Sequence, residues 1–203
     1  EKLLHPSLKI DRPLTKIITS TQQAVDWYRL LYQDEPFRPW IVFMLALTCR
    51  LSGRQLSGLY RRLEIPERYV LILAKEKNQA NHLIRTLKRH PILKASEAYR
   101  LMSRLSLEGL VFLMGFFTKE KNKKTIPLFI PYQRHVKTSL KGTDLKELGD
   151  TAGPIYHRIL DRLLLARLDN EVDSREDEIT FFKRHYPPGR YLTVGPTQTR
   201  KTK

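Results

Sequence analysis

The chain has 203 residues, of which 41% are hydrophobic and 29% are charged. This apolar content is enough to form a core and excludes a chain that is disordered throughout. The 37 Lys and Arg outnumber the 21 Asp and Glu and give a net charge of +16. A surplus of this size favours a polyanionic partner, either nucleic acid or an anionic membrane face. General solubility charge is the alternative.

The single cysteine, Cys49, excludes a disulfide within the chain and fits a reducing compartment, so we expect a cytoplasmic protein. It lies in the apolar run IVFMLALTC, which predicts a buried and unreactive thiol. No apolar run reaches the roughly 20 residues that a membrane span needs, and we expect no membrane partner. Because the chain opens at Glu1, we expect a fragment of a longer protein.

Apolar residues recur at helical spacing along almost the whole chain, and the sequence predicts an all-α fold, an irregular array of roughly nine helices. In chain order the first four helices cover residues 13–28, 39–51, 52–62 and 66–90, and two more start at Ser96 and Ser106. A further helix, bracketed by Pro127 and Pro131, runs to about Leu140, and a terminal group follows at 142–149, 153–168 and 174–186. Ser52 with Gln55 and Ser174 with Asp177 match capping boxes. Ser96 and Ser106 match N-caps.

A charged connector, TKEKNKKT at residues 118–125, is the best internal boundary in the sequence. We therefore expect a helical body domain at residues 1–120 and a small C-terminal helical tail domain at residues 121–188. Residues 189–203 show no apolar period and are expected to be disordered.

Patterns typical of catalytic and metal-binding sites are absent from the sequence. It has no glycine-rich phosphate loop, and one cysteine with scattered histidines gives no zinc-binding spacing. Acids that could hold metal ions, Asp173, Glu176, Asp177 and Glu178, stand at a predicted helix start. Acidic side chains there cap free amides and complement the helix dipole. We therefore predict no catalytic residue, no metal site and no cofactor in this chain.

Basic residues are concentrated between Lys75 and Glu147, where there are sixteen Lys and Arg and six Asp and Glu, a net charge of +10. Such side chains neutralise phosphates and give affinity for a nucleic-acid backbone without reading its sequence. A solvated helix face is the alternative for any single cluster.

Two predicted helix starts in the terminal group could hold phosphates. Thr143 is the expected N-cap of one helix, and Gly153 with Pro154 opens the next. Helix starts expose free backbone amides and the positive end of the dipole, and basic residues stand close by in the sequence. Ordinary capping without a ligand is the alternative. The candidate RNA-binding residues are Arg134, Lys137, Lys141, Gly142, Thr143, Gly153, His157, Arg158 and Arg162.

The segment LKGTDLKELGDTAGPIYHRILDRLLLARLDNEVDSREDEI resembles the C-terminal region of bacterial tRNA nucleotidyltransferases of the poly(A) polymerase family, which are the CCA-adding and A-adding enzymes. The matching residues are Gly142, Asp144, Leu145, Gly153, Pro154, Leu160, Leu163, Leu164, Leu168, Asp169, Arg175 and Glu176. Upstream, WYRLLYQDEPFRPWIVFMLAL and LSGRQLSGLYRRLEIPERY resemble the helical body of such proteins, so the resemblance covers most of residues 6–186.

Two positions depart from the pattern of this family. The chain has His157 where a glycine is usual, and this side chain either narrows the approach of a ligand or contributes a donor of its own. Asn170 stands where the family has the glycine of a turn. Because asparagine tolerates the left-handed conformation better than most residues, we expect the turn to persist.

The resemblance implies that this chain is a body and tail without catalytic activity of its own. In the family, a catalytic head uses Mg²⁺ with ATP or CTP, and a neck selects the nucleotide; we recognise neither here. The implied partners are tRNA and the head and neck of the same parent chain, with recognition mainly of RNA shape and backbone. The alternative is a basic helical module that binds an acidic protein and has no RNA role.

Overall fold

The computed structural model describes residue 6 and residues 8–90, 92–117, 125–148 and 155–186. Contacts between residues divide the chain into two compact units, Glu1–Arg134 and His135–Lys203. Each unit has a hydrophobic core of its own.

The described residues form ten α-helices and one short 3-10 helix, and they contain no strand. The helices are α1 (Arg12–Arg29), α2 (Pro39–Thr48), α3 (Gly53–Arg62), α4 (Glu67–Arg89), α5 (Ala95–Met102), α6 (Leu107–Phe116), α7 (Thr125–Phe129), the 3-10 helix (Gln133–His135), α8 (Gly142–Glu147), α9 (Ile155–Leu168) and α10 (Arg175–His185). The predicted all-α fold is confirmed. Among these helices, none combines the length and apolar character that crossing a bilayer requires.

Helices α1, α2 and α6 form the centre of the first unit, because α2 and α6 are apolar around nearly their whole circumference. Helices α1 and α6 approach closely where Gly115 faces Thr21. A Cβ atom added to Gly115 would stand 2.5 Å from the Thr21 Cα, far inside van der Waals contact. Glycine at this position therefore allows the two helices to pack backbone against backbone.

Two buried charged side chains hold the ends of α2. At its start, the Glu108 carboxylate accepts hydrogen bonds from the Arg38 backbone N–H (3.3 Å) and from Arg38 Nε (3.2 Å). At its end, Lys77 Nζ donates to the carbonyls of Thr48 (2.6 Å) and Leu51 (2.5 Å). The Glu108 carboxylate lies at the positive end of the helix dipole, and the Lys77 ammonium lies at the negative end. The cost of burying each charge is therefore compensated by hydrogen bonds and by the dipole.

Glu76, the neighbour of Lys77 on α4, is bound to the start of α6. Its buried carboxylate accepts the Ser106 N–H at 3.0 Å. Burial raises the pKa of Glu76, with the hydrogen bond from Ser106 acting in the opposite direction. Space for this carboxylate depends on Gly109, because a Cβ atom there would overlap Glu76 Oε2.

Two of the serine caps expected from the sequence are confirmed. Ser106 Oγ accepts the Gly109 N–H at 3.2 Å. Ser174 Oγ accepts the Asp177 N–H at 3.1 Å, and Asp177 Oδ2 accepts the Ser174 N–H at 3.0 Å, which completes a capping box.

The cap expected at Ser96 is wrong. Helix α5 begins at Ala95, with Lys94 as the N-cap residue. Glu97 Oε2 accepts the Lys94 N–H at 3.2 Å, so the acidic side chain rather than the serine satisfies the backbone at this helix start. At the start of α3, by contrast, the expected partner is present, since Gln55 Oε1 accepts the Ser52 N–H at 2.8 Å.

The helix expected to run to about Leu140 is also wrong. Helix α7 ends at Phe129, and the residues between the 3-10 helix and Leu140 are irregular. The N–H groups of Ser139 and Leu140 donate to the Glu178 carboxylate, at 3.0 and 2.8 Å, and not to carbonyls one turn earlier. A tertiary contact has therefore taken the donors that a helix would use.

The second unit is built from α8, α9 and α10 around a small core of Leu140, Leu145, Ile159, Leu163 and Phe182. The turn after α9 contains Asn170 with a φ of +58°. The expectation that asparagine preserves this left-handed turn is confirmed.

The division into a body at 1–120, a tail at 121–188 and a disordered end stays a prediction. The compact units divide after Arg134 because the apolar side chains of Ile126, Phe129 and Ile130 pack in the first core. The connector at 118–124 lies outside the described residues.

Cys49 follows the last residue of α2 and is half-buried, less buried than its apolar surroundings in the sequence predict. Burial nevertheless raises the pKa of the thiol. The neutral form is therefore favoured, and a neutral thiol is a poor nucleophile.

Gly115→Ala should destabilise the first unit by about 2 kcal/mol, because the added methyl group forces α1 and α6 apart. The sign of this change in stability is informative, because replacing glycine by alanine in an unhindered helix would stabilise the helix by up to about 1 kcal/mol. Urea unfolding followed by tryptophan fluorescence would measure the change, as Trp27 lies in α1. Gly53→Ala is the control, because nothing lies within 4 Å of its added Cβ. Unchanged stability in Gly115→Ala would contradict the close approach.

Burial raises the folded-state pKa of Glu76 above its ordinary value of 4.5, so the folded protein binds this proton more tightly than the unfolded chain does. The favourable contribution is therefore complete below about pH 4.5 and is lost as the pH rises through the raised pKa. Glu76→Gln keeps an acceptor oxygen for Ser106 and removes the titration. The unfolding free energy of the wild type minus that of this variant should fall as the pH rises above about 4.5. Glu67→Gln, an exposed control at the start of α4, should give a flat difference.

Candidate nucleic-acid interface

The carboxylate of Glu178 organises the described part of the second unit. Besides the N–H groups of Ser139 and Leu140, it accepts a hydrogen bond from Arg167 Nη1 at 2.8 Å, and it is completely buried. One side chain on α10 thus holds both α9 and the segment that leads into α8. Glu178 lies in the first turn of α10, as the sequence predicts, but its carboxylate points inward to these donors instead of capping its own helix, whose cap is formed by Asp177 with Ser174.

Helix α8 begins at Gly142, and Lys141 is its N-cap residue, so the expected N-cap at Thr143 is wrong. Asp144 Oδ2 accepts the Lys141 N–H at 2.6 Å, and Asp144 Oδ1 accepts from Arg175 Nη2 at 2.9 Å. The hydrogen bond from Arg175 is the main cause that lowers the pKa of Asp144. The start of α8 therefore already holds one anion, whose charge is balanced by Arg175.

The starts of α8 and α9 adjoin each other, although they are thirteen residues apart in the sequence. A Cβ atom added to Gly142 would lie 3.8 Å from Tyr156 Cδ2, which is ordinary contact with the first turn of α9. His157 and Arg158 follow Tyr156 on that first turn and are exposed. The residues proposed to surround a phosphate thus come from two neighbouring elements.

The candidate residues differ in exposure and in partners. Those exposed in the second unit are Lys137, Lys141, Thr143, His157, Arg158 and Arg162, while Gly142 is half-buried. Arg134 belongs to the first unit, where Arg134 Nη1 lies 2.7 Å from Glu35 Oε2. Gly153 lies outside the described residues. The role of all nine as RNA ligands stays a prediction.

Aromatic rings surround Arg162, a feature that the sequence analysis missed. The guanidinium carbon lies 5.9 Å from the ring centroids of both Phe181 and Tyr186, within the range of cation–π contacts. Phe181 stacks on His185 with centroids 4.1 Å apart. The four-residue spacing from Phe181 to His185 on α10 could have indicated this stack from the sequence. The position of Arg162 next to these rings depends on the tertiary packing of α9 against α10.

The cations of the second unit fall into two groups. Arg167 and Arg175 are bound to Glu178 and Asp144, at 2.8 and 2.9 Å. Lys137, Lys141 and Arg158 form no ion pair with any residue that the structure describes. The first group stabilises the fold. The second leaves positive charge exposed, with Lys141 and Arg158 at the two helix starts.

Comparison with known proteins gives a relative by sequence. The chain is 29% identical over 182 residues to an A-adding tRNA nucleotidyltransferase of Geobacter sulfurreducens. The resemblance to tRNA nucleotidyltransferases is confirmed. The alignment covers 88% of this chain but 21% of that protein, so the chain spans about a fifth of its curated relative. No family model matches the chain.

Solved structures of CCA-adding enzymes share the fold. A Thermotoga maritima CCA-adding enzyme complexed with tRNA gives a TM-score of 0.67 at 17% identity, over 90% of this chain and 44% of that one. A CCA-adding enzyme in complex with CTP gives a TM-score of 0.65 at 16% identity, over 96% of this chain and 44% of that one. The chain thus corresponds in fold to less than half of these enzymes.

Glu178→Ala should destabilise the second unit by about 3 kcal/mol, because it leaves two backbone N–H groups without an acceptor and leaves the Arg167 guanidinium without its ion-pair partner. Thermal unfolding followed by circular dichroism would report this as an earlier loss of helix. Glu176→Ala is the matched control, since Glu176 is an exposed acid on the same helix and should change stability by less than about 0.5 kcal/mol. Equal stability of the two variants would show that Glu178 does not organise this unit.

Proposed function

We propose that this chain is the tRNA-binding C-terminal portion of a tRNA nucleotidyltransferase of the poly(A) polymerase family. Its role is to position the tRNA 3′ end for template-independent addition of CCA or A by a head domain. The observation that carries the proposal is the sequence identity with an A-adding enzyme across 88% of the chain. The tRNA bound to the Thermotoga maritima CCA-adding enzyme of the same fold makes tRNA the first ligand to test.

The exposed cations of the second unit support this proposal physically. Lys141 and Arg158 stand at adjoining helix starts, so a phosphate between them would be attracted by both side chains and by the dipole of α9. Asp144 limits the contribution of α8, because its carboxylate already accepts the Lys141 N–H. We therefore assign the main phosphate contact to the side chains of Lys141 and Arg158 and to the first turn of α9.

In this proposal, catalysis is carried out by other domains of the parent protein. The resemblance implies that the head supplies the Mg²⁺ site and the ATP or CTP site, and that the neck selects the nucleotide. This chain contributes binding and orientation of the tRNA, which raises the effective concentration of its 3′ end at the reacting nucleotide. Its proposed setting is the cytoplasm, with the head and neck as intramolecular partners.

The double variant Lys141→Glu and Arg158→Glu should weaken tRNA binding by about tenfold or more, because two phosphate contacts are replaced by repulsion. Titrating labelled tRNA at several salt concentrations would measure it, and the logarithm of the affinity should fall with the logarithm of salt for the wild-type chain. The matched control is Arg54→Glu with Arg61→Glu, which makes the same charge change at exposed positions of α3.

Three outcomes would decide between the alternatives. Equal losses in the two double variants would mean that net charge alone drives binding and that Lys141 and Arg158 form no site. Absence of tRNA binding by the wild-type chain at low salt would overturn the proposed function. If the chain binds an acidic protein and tRNA does not displace that protein, the result would favour the interaction module instead.

A further inference from the structure

A groove lies between the C-terminal half of α4 and helix α5, both within the first unit. Its volume is about 490 Å³, which is in the range of pockets that hold small ligands. Helix α4 contributes His82, and His90 is the C-cap residue at the end of this helix. Arg100 lies on α5, and Arg104 lies in the turn that follows this helix, so two cations and two imidazoles line the same cavity.

The arginines of this groove are free to bind an anion. Arg100 and Arg104 are exposed and form no ion pair with residues in the described part of the chain. The one acid that lines the groove, Glu97, accepts the Lys94 N–H at 3.2 Å and so serves the start of α5. From Lys75 to Arg104 the sequence carries eight Lys and Arg but two Asp and Glu, and the second acid, Glu76, is buried.

The same groove also presents apolar surface. Ile92 is 86% exposed, the second most exposed of the large hydrophobic side chains in the described residues, and it lines the groove together with Leu93 and Leu101. Leu93 and Leu101 are half-buried, so the groove combines an apolar lining with unpaired arginines, a combination that suits an amphipathic ligand.

We propose that the groove between α4 and α5 binds one unpaired nucleotide of an RNA strand. The phosphate would contact Arg100 and Arg104, while the base lies against Ile92 and the imidazole rings of His82 and His90. A nucleotide joins an anion to a planar ring, and unstacked bases pack on histidine rings, guanidinium planes and apolar side chains. An acidic peptide would satisfy the arginines, whereas a nucleotide supplies the anion and the planar ring in every unit of the strand.

This inference extends the proposed function, since both have RNA as the ligand, but it uses residues of the first unit alone. The test is fluorescence anisotropy of the 203-residue chain with a labelled single-stranded oligoribonucleotide. Arg100→Glu with Arg104→Glu should weaken binding about tenfold and make the logarithmic salt dependence shallower by about 0.7, the value for one phosphate of a single strand. Arg54→Glu with Arg61→Glu is again the matched control and should have a smaller effect.

A neutral substitution separates a nucleotide site from a phosphate site. Ile92→Ser should weaken oligoribonucleotide binding about threefold, by losing contact with the base, and should leave binding of inorganic polyphosphate unchanged. Leu71→Ser, at an exposed leucine of α4 that does not line the groove, is the control and should change neither. Equal effects of Ile92→Ser on both ligands, or none on the oligoribonucleotide, would overturn the inference.

The failure of this inference is distinguishable from failure of the proposed function. If Lys141→Glu with Arg158→Glu weakens tRNA binding while Arg100→Glu with Arg104→Glu changes neither tRNA nor oligoribonucleotide binding, the groove is not a nucleotide site and the proposed function stands. If the wild-type chain binds oligoribonucleotide through the groove but does not bind tRNA, the groove is retained as a site and the proposed function fails.

Discussion

Buried charges bound to helix ends are the interaction on which the first unit depends. Removing an ion from water is costly, and a helix end offers the compensation of several unsatisfied backbone groups of one sign. Glu108 and Lys77 take the two ends of α2, and Glu76 takes the start of α6. Because Glu76 and Lys77 are neighbours on α4, this one helix fixes the positions of two apolar helices that would otherwise be free to slide in an apolar core.

The second unit uses the same device and thereby separates structural from available cations. Glu178 binds backbone N–H groups ahead of α8 and recruits Arg167, and Asp144 recruits Arg175. A basic surface on which every cation had such a partner would have little attraction for phosphate. The positive charge that remains is therefore a product of the fold as much as of the composition.

Much of the helical framework could be predicted because its signals are local. Ser106 and Ser174 cap helices as their spacing indicates, and Asn170 adopts the left-handed conformation that its turn requires. Prediction failed where a distant residue intervened. The helix expected to reach Leu140 does not do so. The N–H groups of Ser139 and Leu140 are satisfied by Glu178, 39 and 38 positions away, and no local pattern reports that contact.

The sequence by itself determined the all-α class, the excess of positive charge and the resemblance to tRNA nucleotidyltransferases, because helical period, composition and motif order are all readable along the chain. Only the tertiary structure decided which charges are free. It brought Gly142 beside Tyr156, placed Arg162 on the rings of Phe181 and Tyr186, and left Lys141 and Arg158 without acidic partners among the described residues. Whether a charged side chain stabilises the fold or remains available to a ligand depends on its neighbours in space, and the linear order of residues does not specify those neighbours.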